Sequence, residues 1–339
     1  MELEYKNDFD MAQKRLEAWW DCEVIDRPCV QITAENPDNN VNINNQEKEH
    51  DSLRERWLDI DYQINQAQEY MKSTIYMGEA FPSYFANLGP EIWATLYGAE
   101  LEFGENTSWA VHFVDDWDEY LEKRGGDLKP NFNNEYWQTI EKMTDVSLKK
   151  GKGKYITGIP DLHPGADLLV SLRDADQLCL DLINIPDKIK KINDKLTEYY
   201  PQVYNRIYNK IKDYDLGTTT WLPAYHENKF YVPSSDFSAL ISEEMFNNIF
   251  LPGILKQIDF LDRSIYHLDG PDALRHLDTI LNIDDLDGLQ WVFGAGNGPS
   301  TEWIDIYKKV QKAGKCMQIM VSEPEEIEIM ETDAEFLLV

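Results

Sequence analysis

His267 and Asp269 stand two residues apart at the end of a short apolar run, Ser264-Ile265-Tyr266-His267-Leu268-Asp269-Gly270-Pro271. Side chains at i and i+2 of a strand share one face. An imidazole and a carboxylate side by side at a strand end can hold a metal ion or work as an acid/base pair. The plainer alternative is a His–Asp hydrogen bond that packs the strand end. His163 lies in Asp161-Leu162-His163-Pro164-Gly165, just after another strand-like run, where Pro-Gly fixes a tight loop. His226 sits among aromatics in the loop 224–231. Both are candidates for proton transfer, and both also fit a hydrogen-bonded packing role.

Aromatic residues supply a second kind of candidate. Trp109, Trp221, Tyr225, Tyr231 and Trp291 could wall a pocket for a ring-bearing or methylated ligand. Aromatics make up 12% of the chain, a density that also suits an ordinary core. Gly294-Ala295-Gly296-Asn297-Gly298-Pro299 precedes a helical pattern, and Asn297 there could contact a ligand held at the turn. A tight strand-to-helix turn is the alternative.

These residues need elements to hold them. Apolar, β-branched runs predict strands near residues 29, 155, 217, 232, 264, 289, 316 and 335. Amphipathic patterns predict helices over 1–26, 51–70, 115–124, 134–150, 166–180, 185–212, 242–261, 273–281 and 324–330. Ser242 is the expected cap of the helix that follows it. Strand–helix alternation of this length fits a (β/α)8 TIM barrel with an N-terminal helical extension, in which loops after the strands carry the chemistry. We expect one domain over 1–339, with 1–26 as its helical segment. The stretch 79–107 reads as a strand end, a loop and a short helix walling a pocket. The chain ends on an expected strand at 335–339, so a covering helix is either missing from a truncated C-terminus or supplied by the N-terminal helix.

Composition narrows the function. The chain has 339 residues, 42% hydrophobic and 28% charged, which is globular. The balance of 32 Lys plus Arg against 62 Asp plus Glu gives −30. That disfavours nucleic acid and anionic membrane surfaces as partners. No apolar run approaches the roughly 20 residues that span a bilayer, and the first residues lack a signal-peptide core. A cytoplasmic location is expected. The four cysteines (Cys22, Cys29, Cys179, Cys316) show no CxxC spacing and read as small buried hydrophobes.

Several stretches, in order, resemble the uroporphyrinogen decarboxylase-like superfamily, which includes cobalamin-dependent methyltransferases. They are Asn87-Leu88-Gly89-Pro90, Gly104-Glu105-Asn106-Thr107, Leu172-Arg173, Asp236-Phe237-Ser238 through Ser242-Glu243-Glu244-Met245-Phe246, then Phe250-Leu251-Pro252, Ser264 to Gly270, and Leu286-Asp287-Gly288. The match spans most of 80–325. It implies a TIM barrel, a cleft at the strand C-termini and a homodimer. It also assigns Asp236 to a strand end in the cleft as a catalytic or orienting group, and Glu323 to a cleft-facing loop. Porphyrinogen decarboxylases carry an Arg-rich loop after their first strand that neutralises substrate carboxylates. The corresponding stretch here is Gln31-Ile32-Thr33-Ala34-Glu35-Asn36, without arginine, which points away from porphyrinogens. The methyltransferase branch binds zinc through His-x-Cys and a later Cys. This chain has His267-x-Asp269 at that place, compatible with harder ligands.

The resemblance therefore implies an enzyme of one-carbon metabolism. It would be a methyltransferase moving a methyl group between a small methoxy or methylamine substrate and a corrinoid on a separate protein, with zinc on His267, Asp269 and Glu323. A metal-independent decarboxylase or lyase for a small carboxylic acid is the second reading, with Asp236 or His163 as proton donor. A non-catalytic ligand-binding barrel is the third.

Overall fold

The computed structural model describes residues 2–37 and 48–331. The chain alternates helices and mostly short strands. Its first elements are α1 (Phe9–Trp20), β1 (Gln31–Glu35), α2 (Leu53–Leu58), α3 (Ile60–Lys72), β2 (Thr74–Gly78), β3 (Ser83–Phe85), α4 (Ile92–Thr95), β4 (Leu101–Phe103) and β5 (Ser108–Ala110). The middle of the chain is α5 (Trp117–Lys123), α6 (Glu135–Gly151), β6 (Ile156–Gly158), α7 (Ala166–Arg173), α8 (Ala175–Asn184), α9 (Pro186–Thr197) and α10 (Tyr200–Lys212). The last part holds β7 (Phe230–Tyr231), α11 (Glu243–Met245), α12 (Leu251–Phe260), β8 (Arg263–Asp269), α13 (Leu277–Leu281), β9 (Gly288–Val292), α14 (Ile304–Lys312), β10 (Cys316–Gln318) and α15 (Pro324–Glu331).

The parallel strands are the frame. β7 to β10 form a four-stranded sheet in the order β10-β9-β8-β7, all neighbours parallel. β3 pairs in parallel with β6. The N–H of Ile159, just past β6, donates to the carbonyl of Thr219 (2.8 Å), so 218–220 runs beside it. Among the described residues these ladders do not join into a closed ring. The expected strand at 217–223 is one reason. Thr218 exchanges both backbone hydrogen bonds with His226 in an isolated antiparallel bridge, which folds the stretch back on itself. The expected strand at 335–339 lies outside the described residues.

The strand expected near residue 29 falls at β1, but it belongs to a different layer. It pairs antiparallel with β2, from Gln31 opposite Gly78 to Glu35 opposite Thr74, in a two-stranded ribbon apart from the parallel set. The first parallel strand is β3. Residues 79–108, which contain it, hold no Arg or Lys. The short helix expected within 79–107 is α4, and β4 and β5 form a hairpin.

Long amphipathic patterns break where a cap or proline interrupts them. The helix expected over 166–180 divides at Asp174, which has φ +91° and whose carboxylate caps α8 by accepting from the N–H groups of Asp176 and Gln177. The helix over 185–212 divides before α10, whose first turn contains Pro201; inside a helix that ring would clash with the preceding turn. Pro252, in the first turn of α12, follows a π-helical turn at Phe246–Phe250 for a similar reason. Ser242 caps α11 as expected, its hydroxyl accepting from Met245 N–H.

α1 covers the N-terminal ends of the strands. Trp19 and Trp20 pack with Phe230, Ile265 and Cys316, and Phe9 and Leu16 pack with Phe81, Ile156 and Tyr225. The Trp20 indole donates to Tyr225 O (2.7 Å). Glu79 ties this layer down. It is fully buried, takes a two-pronged contact from Arg27 (2.7 Å each) and one from Arg15 (3.2 Å), and accepts from Val30 N–H (2.8 Å). All four cysteines are free thiols. Of the four, Cys316 is buried as expected, Cys29 and Cys179 are half-buried, and Cys22 is exposed, in a turn with φ +54° after α1. Among the described residues, no helix is long and apolar enough to cross a membrane.

Candidate active site

The C-terminal ends of β7 and β8 carry the cluster. β8 is the longest strand of the parallel sheet, and its side chains alternate: Tyr266 and Leu268 go into the helix-packed core, and Ile265 goes into the layer beneath the sheet. His267 and Asp269 share the face of Ile265, as their spacing requires. The chain beyond β7 stays alongside β8. His267 N–H donates to Pro233 O (3.0 Å), and Ser234 bridges to His267 in parallel. Asp236 is thereby delivered to the same end, at the start of a 3-10 turn, Asp236–Leu240.

Asp236, His267 and Asp269 each offer one ligand atom, and these atoms lie within 4.8 Å of one another. His267 Nε2 is 3.8 Å from Asp236 Oδ1, with the imidazole mostly buried and the carboxylate about half exposed (14% and 54%). Burial and then the Asp236 charge push the Asp269 carboxyl above its ordinary value, against the pull of His267. Two carboxylates crowded on one imidazole are relieved by a shared cation. The donor set of one nitrogen and two oxygens suits zinc or another borderline divalent ion. The residues fit the metal.

His163 and Asp167 stand behind this cluster. His163 is held at both ring nitrogens, by Asp161 (Nε2 to Oδ1, 2.5 Å) and by Ser234 Oγ (Nδ1, 2.8 Å). Burial opposes its charge, but Asp161, Asp167 and Asp236 together raise it to about 9. Asp167, in the first turn of α7, accepts from the backbone N–H groups of Asp236 (3.2 Å) and Phe237 (3.0 Å). Burial and the Asp236 charge raise its carboxyl to about 6. The edge of the Trp221 indole meets the His267 ring at 88°, with centroids 5.3 Å apart.

The structure thus brings together His163, Asp236, His267, Asp269 and Trp221. Other sequence candidates lie elsewhere. His226 binds Glu17 of α1 (2.9 Å) at the N-terminal ends of the strands, and Tyr225 is buried there against Phe9 and Phe81. Tyr231 is a core residue whose hydroxyl donates to Pro160 O (3.3 Å). Trp109 is exposed on the β4–β5 hairpin and donates to Glu102 (2.9 Å). Trp291 is fully buried against Trp303. Asn297 is exposed, and its amide donates to Phe293 O (2.9 Å) within its own turn. Glu323 is exposed before α15 and is not among the three clustered ligands.

Sequence reasoning passed over Asp161, Asp167, Ser234, Gln290 and Gln318. Gln290 and Gln318 had a readable signal: each is a lone polar residue inside an apolar strand run, Leu289-Gln290-Trp291-Val292-Phe293 and Cys316-Met317-Gln318-Ile319-Met320. Such a residue needs a partner if it is buried. Asp167 had none, because an acidic residue in a first helical turn is ordinary.

No protein-family model matches the chain, and no curated protein does. Among solved structures, a methyltransferase from Methanosarcina mazei superposes with a TM-score of 0.56 at 11% identity, over 93% of this chain and 95% of that one. This chain shares its overall α/β fold.

Proposed function

We propose that this chain is a methyltransferase of the uroporphyrinogen decarboxylase-like superfamily. It moves a methyl group from a small methoxy or methylamine compound to a corrinoid carried by a separate protein. Its parallel strands are then parts of an irregular (β/α)8 barrel, a reading that the fold shared with the Methanosarcina methyltransferase supports. The observation that carries the proposal is the Asp236–His267–Asp269 cluster at the strand ends, where barrel enzymes place their chemistry.

Asp236, His267 and Asp269 would hold a divalent metal. Bound there, the metal supplies Lewis acidity toward the heteroatom bearing the methyl group, and the corrinoid supplies the methyl-accepting centre. The protein's own part is position and field. Trp221 fixes the imidazole plane, and half-exposed Asp236 borders the way in. His163 places a cation beside a group of carboxylates, while its two ring protons stay committed to Asp161 and Ser234. Asp167 anchors the backbone from which Asp236 projects.

Elemental analysis of the purified protein tests the site. One transition metal per chain is expected, with affinity falling roughly 100-fold or more in His267→Ala. Retention of the metal with both His267 and Asp269 replaced would remove the site. Activity is read as methylation of cob(I)alamin, followed by its absorbance, over a panel of methoxy and methylamine compounds.

A metal-independent decarboxylase or lyase is the second reading. It is favoured by Asp167, a carboxyl raised to about 6 and so a proton donor near neutral pH. Carbon dioxide release by chelator-treated protein would select it over methyl transfer.

A further inference from the structure

His267, Gln290 and Gln318 form a row across three neighbouring strands. His267 lies opposite Gln290 in the β8–β9 register, and Gln290 lies opposite Gln318 in the β9–β10 register. His267 Nδ1 is 2.6 Å from Gln290 Oε1, and Gln290 Nε2 donates to Gln318 Oε1 at 2.6 Å. Gln290 is only 3% exposed, so water has little part in satisfying its amide.

The two ends of an amide are not equivalent. Gln290 spends its N–H on Gln318, so the oxygen that faces His267 must receive a proton. Nδ1 therefore carries the hydrogen, and in the neutral ring the lone pair sits on Nε2. Nε2 is the atom that faces Asp236 at 3.8 Å and completes the ligand cluster. We infer that Gln290 and Gln318 are positioning residues that lock His267 in its Nδ1–H tautomer and so present Nε2 as the metal-binding lone pair.

The choice of glutamine has a reason. A carboxylate at position 290 would also accept the Nδ1 proton, but it would favour the charged imidazolium, which cannot ligate a metal. A neutral oxygen orients the ring without placing a charge beside it, and Gln318 gives the Gln290 amide nitrogen an acceptor. The consequence for metal binding rests on the proposed function. The tautomer does not, because it belongs to the metal-free chain.

Long-range proton–nitrogen correlation spectra of the metal-free, nitrogen-15-labelled protein read the tautomer directly, with His267→Gln used to assign the ring. The expected pattern is a protonated shift at Nδ1 and an unprotonated one at Nε2. The reverse pattern overturns the inference, whatever the protein does with metals. Gln290→Leu should move the ring toward the Nε2–H form and weaken zinc binding about 10–100-fold in competition with a chromogenic chelator. Gln318→Leu should do so less, and Gln290→Glu should restore the Nδ1 proton. An unchanged tautomer in a folded Gln290→Leu protein also counts against the relay. If the wild-type pattern is as expected but no zinc binds, the relay stands and the metal reading fails.

Discussion

His163 shows what neighbours do to a single residue. Its imidazole is 14% exposed, and burial alone would strip its proton, yet it is held to about 9 by the carboxylates around it, Asp161 first. A folded pKa raised from 6.5 contributes stability that is fully present below pH 6.5 and is lost as pH rises through about 9. Denaturant unfolding should therefore show stability falling over that window, by on the order of 3 kcal/mol. His163→Asn should flatten that part of the profile. An identical slope in the variant would mean that another group is responsible. His267 is the contrasting case: an amide rather than a carboxylate stands behind it, and that amide orients the ring without adding charge.

At the scale of elements, two side chains hold pieces of backbone in place. Asp167 fastens the start of the 3-10 turn at Asp236–Leu240 to α7 through two N–H groups. Asp167→Ala leaves both donors without their acceptor, at about 1–3 kcal/mol, and frees Asp236 to wander. Calorimetry should show lowered stability together with weaker zinc binding. Unchanged zinc affinity would detach Asp167 from the site. Glu79, just past β2, does the corresponding task at the other end, joining α1 and the approach to β1 through Arg15, Arg27 and Val30. Its charge is buried and paired, so removing it takes the carboxylate from Arg27 and leaves Arg15 with Asp26 alone. Glu79→Ala should cost about 3 kcal/mol or more, read as a drop in the denaturant midpoint, with the Asp236–His267–Asp269 cluster spared.

The whole molecule separates a closed end from an open one. α1 seals the N-terminal ends of the strands with Phe9, Leu16, Trp19 and Trp20, all buried. At about 1.5–3 kcal/mol for each large apolar side chain, that contact rivals the net stability of a typical domain. A chain lacking residues 2–22 should bind an apolar dye and aggregate, because Phe81, Tyr225 and Phe230 lose their cover. Unaltered thermal unfolding in the truncated chain would show that α1 is dispensable. The carboxylates and histidines of the candidate site gather at the opposite end.

Much of this was legible in the residues themselves. Period-two spacing placed His267 and Asp269 on one face, and that holds wherever a strand forms. The alternation of strands and helices, the Ser242 cap and the acidic balance follow from local composition and periodicity in the same way. Tertiary structure decided the rest, because distance between strands is not written along the chain. It set His226 and Tyr225 under α1 instead of beside His267. It gave the stretch at residue 31 an antiparallel partner in Thr74–Gly78, a ribbon apart from the parallel set that pairs Glu35 with Thr74 and Gln31 with Gly78. It also aligned Gln290 and Gln318 with His267, a register that only hydrogen bonds between neighbouring strands can fix.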